Sequence, residues 1–245
     1  AGQVEGALQL NGGAPGTLAP ATTRTTPACN VSVGGLDRED FGARLRSAVS
    51  ECTSRVIFVP RSVGLGMRWP DQRRLTLDDP VLDPIFEAAD KIVVVQGVPP
   101  ESEFTVDGVA RPGWPSREAA LEELLTRVGR STHALWVQVH TPADGARLAQ
   151  DLESHPHLCL VTGDDIDLAA AHPDRVLFGS GLSLEVRGWR PPGLEPDESF
   201  DAIAYYGAIR DRWTRSELPD STVDAVLGGT AAARLPGLRA AADPP

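Results

Sequence analysis

Short apolar runs alternate with amphipathic ones along the chain, the order expected of a parallel sheet covered by helices. The runs predict strands at Glu5–Leu10, Cys29–Val33, Arg55–Pro60, Lys91–Gln96, Ala134–His140, Leu158–Thr162 and Arg175–Phe178, with a further short strand near Val63–Met67. "KIVVVQ" and "RVLFG" are nearly unbroken in their apolar character, which marks strands buried on both faces. Between them, Asp37 stands at a cap position before a stripe of Phe41, Leu45, Ala48, Val49 and Cys52. Ser116 opens a helix with Leu121, Leu124, Leu125 and Val128 inward and Gly129 at its end. Thr141-Pro142-Ala143-Asp144 joins a cap, a proline at the first helical position and a first-turn acid. The segment from Ser199 to Trp213 is predicted as the longest helix near the C-terminus.

Three long connections follow strands: "GLGMRWPDQRRLTLDD", Gly97–Pro115 and Gly181–Ser199. In an α/β barrel such loops stand at the C-terminal strand ends, where these folds carry their sites. Trp69, Trp114 and Trp189 fall one in each loop. They predict an aromatic-lined pocket there, or else three rings that each pin their own loop.

Composition narrows the field. The 245 residues, 41% of them hydrophobic, suffice for one barrel-sized core, so the pattern predicts a single α/β domain over 1–245, a (β/α)8 TIM-type barrel. The first 35 residues, rich in Gly, Pro, Thr and Ala, predict distortion or incompleteness near the N-terminus. A net charge of −11 argues against nucleic acid as a partner, and no apolar run approaches a membrane span. Cys29, Cys52 and Cys159 are odd in number, far apart and without CxxC spacing, which predicts reduced thiols in a cytoplasmic protein. Lys91 is the only lysine among 23 basic residues, and it starts its strand, at the wrong end for Schiff-base chemistry. No nucleophile elbow, phosphate loop or dinucleotide fingerprint is present, so no cofactor is implied.

"HPDRVLFGSG" resembles the last barrel strand of the amidohydrolase family that contains the aminocarboxymuconate-semialdehyde-type decarboxylases. "LDDPVLDPIFEAADKIVVVQG", "LWVQVHTPADGARLAQDLESHPHLCLVTG" and "AVLGGTAAARLPGL" resemble further segments of that family in the same order, and "EGALQLNGG" stands where its first metal-binding strand would be. The likeness runs from about Arg55 to Leu238. It implies the barrel fold and a divalent metal held by histidines and an aspartate. The matching positions here are Leu8, Leu10, Gln96 and Gly181, and only His140 keeps a family ligand. Leucine and glycine side chains carry no donor, so the sequence predicts that no metal is bound.

His140 is then the candidate acid/base, with Asp164 or Asp165 as its complement. Gln96 offers an amide donor to a carbonyl, Arg61 and Arg187 offer bidentate clamps for a carboxylate or a phosphate, and Ser180 stands near the centre without an evident base. Each has a plainer reading: His140 as an anchor for the following helix, the aspartates as caps, the arginines as surface ion pairs. Two function classes follow. One is a metal-independent hydrolase or lyase, acting on a small carbonyl- or carboxylate-bearing substrate by hydrolysis, decarboxylation or cyclisation, in specialised metabolite biosynthesis. The other is a non-catalytic ligand-binding relative or a partner subunit of an active homologue. Homo- and hetero-oligomers are both compatible with the sequence.

Overall fold

The structure, a computed structural model, describes residues 8–10, 28–31, 39–163, 165–179, 208 and 211–231. The chain divides into two compact units, Ala1–Cys159 and Leu160–Pro245.

The first unit is built on strands β1 (Leu8–Leu10), β2 (Ala28–Val31), β3 (Val56–Val59), β4 (Ile92–Val95) and β7 (Leu135–Gln138), neighbours in that order. From β2 to β7 all pairings are parallel, with Val59 beside Val95 and Val95 beside Val137. β4 is all Ile and Val and β7 is buried at every position, as in strands covered on both faces, while β3 (VIFV) buries Ile57 and Val59 and leaves Val56 and Phe58 half-buried. β1 runs antiparallel to β2. That is a departure from the all-parallel order of a (β/α)8 barrel, and it falls in the N-terminal region where the sequence predicts irregularity.

Helix α1 (Phe41–Glu51) buries Phe41, Leu45, Ala48 and Val49, one stripe at helical spacing. Its N-cap is Asp40, and Asp37 lies outside the described residues. Helix α4 (Arg117–Arg130) starts at Ser116, whose side chain accepts the Ala119 N–H, and α5 (Pro142–Ala149) starts at Thr141, which accepts that of Asp144. Both caps match the sequence reading. Two short turns, α2 (Ser62–Leu65) and α3 (Asp83–Phe86), lie between β3 and β4. The expected strand near Val63–Met67 is corrected to the α2 turn: Gly64 takes φ +91°, a conformation open to glycine that breaks any extended run.

Cys29 and Cys52 form a disulfide, and Cys159 is a buried thiol. The expectation of three reduced cysteines is thereby corrected, and with it the argument it lent to a cytoplasmic location. β2 and the C-cap of α1 bring the two sulfurs together, a proximity invisible at a sequence separation of 23. Lys91 donates to Cys52 O at 2.7 Å, holding its ammonium at the N-terminal end of β4. Reduction, or Cys29→Ala with Cys52→Ala, should lower unfolding stability by about 3 kcal/mol through the freed denatured-state loop. Denaturant titration with and without dithiothreitol measures it, and an unchanged midpoint would refute a stabilising bridge.

In the second unit, β8 (Leu158–Thr162), which begins before the boundary, pairs in parallel with β9 (Val176–Phe178), and α6 (Ile166–Ala171) connects them. Trp213 is fully buried, its Nε1 donating to Gly163 O at 2.9 Å. Residues 211–214 are helical, and of these 211–213 fall within the helix expected over Ser199–Trp213, most of which lies outside the described residues. Helix α7 (Asp220–Asp224) runs on into a π-helical turn at Ala225–Gly229 that packs on β9. No helix among the described residues is long and apolar enough to cross a membrane.

Candidate functional site

Three sequence candidates follow the C-terminal ends of three neighbouring strands. Arg61 comes two residues after β3, Gln96 directly after β4 and His140 two residues after β7. Gln96 N–H donates to Val59 O at 2.9 Å, which prolongs the β3–β4 ladder by one step. Its side chain then turns back, and Oε1 accepts the Arg61 backbone N–H at 3.2 Å. Because that partner is a donor, the Gln96 oxygen is fixed on it and the amide NH2 is left to donate elsewhere.

Arg61 and Gln96 line a small, half-open cleft, and His140 stands behind it without being one of its lining residues. Arg61, Gln96 and Gly97 form its polar rim, Val63, Leu65, Leu77, Val98 and Leu124 its apolar walls, and Glu123 its second charge. Glu123 is neutralised by Arg74, whose two terminal nitrogens both reach its carboxylate. Arg61 is paired with Glu103 at 2.7 Å.

Gly97 sets the distance between β4 and β7. A Cβ at this position would lie 1.9 Å from Gln138 O and 3.9 Å from His140 Cδ2. Only a residue without a side chain allows this approach, and it places the imidazole beside the cleft's glycine. His140 is half-buried, and its Nε2 is buried with no hydrogen-bond partner among the described residues. A buried ring nitrogen of this kind costs stability and marks a position suited to a ligand. Burial is the main cause that lowers the His140 pKa below the ordinary histidine value. The Arg61 cation lowers it further, as Arg117 does more weakly, while Glu103 and Asp144 pull the other way. The ring is therefore neutral at pH 7.

The remaining candidates are placed differently. Asp165 caps α6, its Oδ1 accepting the Leu168 N–H at 3.0 Å. Trp69 packs edge-to-face on Phe41 and donates to Asp79. Trp114 packs edge-to-face on Phe104 under the Arg111 guanidinium. Neither ring lines the cleft; both pin their own loops. Asp164, Ser180, Gly181, Arg187 and Trp189 lie outside the described residues.

Sequence reasoning missed Glu103, Glu123 and Gly97. Glu103 had a local signal, since "TVDGVA" after it is an Asp-Gly hairpin: β5 (Thr105–Val106) pairs with β6 (Val109–Ala110) around Asp107 and Gly108 at positive φ. The approach at Gly97 is set by two strands far apart in sequence and left no local trace.

The metal implied by the resemblance does not fit these residues. Leu8 and Leu10 carry no donor, and the Gln96 oxygen is committed to Arg61. His140 alone falls short of the roughly three protein ligands a catalytic zinc requires. No group of three or more His, Cys, Asp or Glu placed to hold a metal occurs among the described residues. No protein-family model, curated protein or solved structure matches the chain.

Proposed function

We propose that this cleft binds a small carbonyl- or carboxylate-bearing compound and that neutral His140 acts on it as a metal-independent acid/base, on a frame derived from the amidohydrolase barrel. The observation that carries the reading is the buried, unpartnered Nε2 of His140 beside a cleft rimmed by Arg61 and the Gln96 amide. A neutral imidazole can take a proton from a bound substrate, Gln96 can donate to the carbonyl oxygen where negative charge develops, and Arg61 can hold an anionic group. Hydrolysis, decarboxylation and cyclisation can all draw on that set. A biosynthetic role is part of this proposal, and the disulfide suits an oxidising compartment better than the cytoplasm.

A second reading, ligand binding without chemistry, is favoured by one observation. The carboxylates electrostatically coupled to His140 are both ion-paired, Asp144 with Arg117 and Glu103 with Arg61, so neither is free to orient the ring.

His140→Gln separates the two. In a screen of lactones, esters and β-keto acids, any turnover by the wild type should fall by about 10²-fold or more in the variant. The melting temperature should stay near that of the wild type. The acid limb of the wild-type kcat/KM profile should lie below the ordinary histidine range, because burial and Arg61 hold the base form down to lower pH. Unchanged turnover, or a destabilisation beyond about 2 kcal/mol, would favour the non-catalytic reading.

A further inference from the structure

Arg61 presents its charge at the cleft already engaged by a residue of the chain itself. Both oxygens of Glu103 converge on one guanidinium nitrogen, Nη1, at 2.8 and 2.7 Å. Nε and Nη2 have no partner among the described residues, so the two-nitrogen fork that makes Arg–carboxylate pairs strong is not used. The pair is also about 30% exposed on each side, a setting in which ion pairs add little to stability. It holds a place without locking it.

Glu103 is carried on a separate piece of structure. It lies in a 3-10 turn, Glu101–Phe104, that leads into the β5–β6 hairpin, with Pro99-Pro100 before it and Pro112-Gly113 after it. Phe104 against Trp114, and Arg111 donating to Glu103 O at 2.7 Å, keep this piece folded on itself. Its tip projects: Val106 and Val109 are 49% and 68% exposed. Arg68 donates to Gly113 O at 2.8 Å and Arg117 to Pro99 O at 3.1 Å, so the base of this piece is held, and Glu103 can leave Arg61 by rotating its own half-exposed side chain while β3 and β4 stay in place.

We propose that Glu103 is an internal ligand of Arg61, holding the anion position of the cleft until a carboxylate-bearing compound displaces it. The proposal rests on reading this cleft as a ligand site, and it adds the regulation of that site by Glu103. Glu123 is already neutralised by Arg74, so Arg61 is the rim's available cation. The displacing compound carries a carboxylate for the Arg61 fork, an adjacent oxygen for the Gln96 amide and a compact branched apolar body for Val63, Leu65, Leu77 and Leu124. An internal competitor that occupies Arg61 for about nine-tenths of the time weakens the apparent affinity of such a ligand about tenfold.

The test uses two probes of one shape, 4-methyl-2-oxopentanoate and its neutral counterpart 4-methyl-2-pentanone, titrated by calorimetry and amide NMR. The keto acid should bind Glu103→Gln and Glu103→Ala about tenfold more tightly than the wild type, and Arg61→Gln not measurably. The ketone should bind all four proteins alike. On saturation of the wild type with keto acid, the Phe104 amide should shift to its position in free Glu103→Gln. Unchanged or weaker keto-acid binding by both Glu103 variants, retention of binding by Arg61→Gln, or binding of neither probe to any protein would each overturn the proposal. Tightening by Glu103→Gln alongside turnover that ignores His140→Gln would overturn only the acid/base reading. His140-dependent turnover with no effect of Glu103 would overturn only this one.

Discussion

Gly97→Ala should lower the unfolding free energy by about 3 kcal/mol or more and abolish ligand binding at the cleft. The added methyl carbon would start 1.9 Å from Gln138 O, well inside any contact distance, and the atom it meets is backbone of the neighbouring strand. A side chain can swing away, but this carbonyl cannot move without disturbing the β4–β7 pairing that aligns Val95 with Val137. The strain is released by splaying the two strand ends, which carries Gln96 and His140 apart. Gly129→Ala is the control. It sits in α4 with open space where its Cβ would be, and alanine there should be neutral or stabilising by up to about 1 kcal/mol. Urea titration of both variants decides the matter: matching midpoints would show that the approach at Gly97 is not a real constraint.

What the sequence made legible is what neighbouring residues determine. Ser116 and Thr141 each supply the side chain that their own helix start needs, so both caps could be read in place. β3 and β4 could be read because each is an unbroken apolar run, and β7 because only Gln138 at its end interrupts one. Arg61 and Gln96 meet, with His140 beside Gly97, because each follows the end of one of those strands. The rest depended on partners distant in the chain. The antiparallel pairing of β1 with β2 and the Cys29–Cys52 bond each join segments well apart in the chain, and no spacing encodes that. The Asp165 carboxylate could serve a cap or a site equally well by sequence, and the cap is where it is found. Arg127 carries a signal that apolar periodicity passes over. It is buried in α4 together with Ala120, Leu121, Leu124 and Val128, where a cation requires buried acceptors.

Arg127→Met should cost about 2–3 kcal/mol, less than the loss of a fully buried ion pair, because the Asp83 carboxylate left behind is 37% exposed and takes up water. Arg127 is 3% exposed and satisfies three acceptors at once. Nε donates to Leu77 O at 2.9 Å, Nη1 to Asp83 at 2.7 Å and Nη2 to Asp79 O at 3.1 Å. Its guanidinium also lies 4.4 Å from the centre of the Phe86 ring. Methionine keeps much of the stem's packing but removes every donor, leaving Leu77 O without its bond at about 1–3 kcal/mol where it stays dry, while Asp79 O keeps the Leu82 N–H at 3.0 Å. The consequence reaches the cleft, since Leu77 is one of its walls and Arg127 is what fastens the Leu77 backbone to α4. Arg127→Lys should fall between the two, because one ammonium cannot span three acceptors arranged for a planar fork. Adding Asp83→Asn to Arg127→Met should cost less than the sum of the single changes, because Asp83 no longer has a partner to lose. Chemical denaturation of the wild type, the two single variants and the double variant measures the cycle. An Arg127→Met variant within about 1 kcal/mol of the wild type would show that the segment from Leu77 to Asp83 is held by its apolar contacts alone.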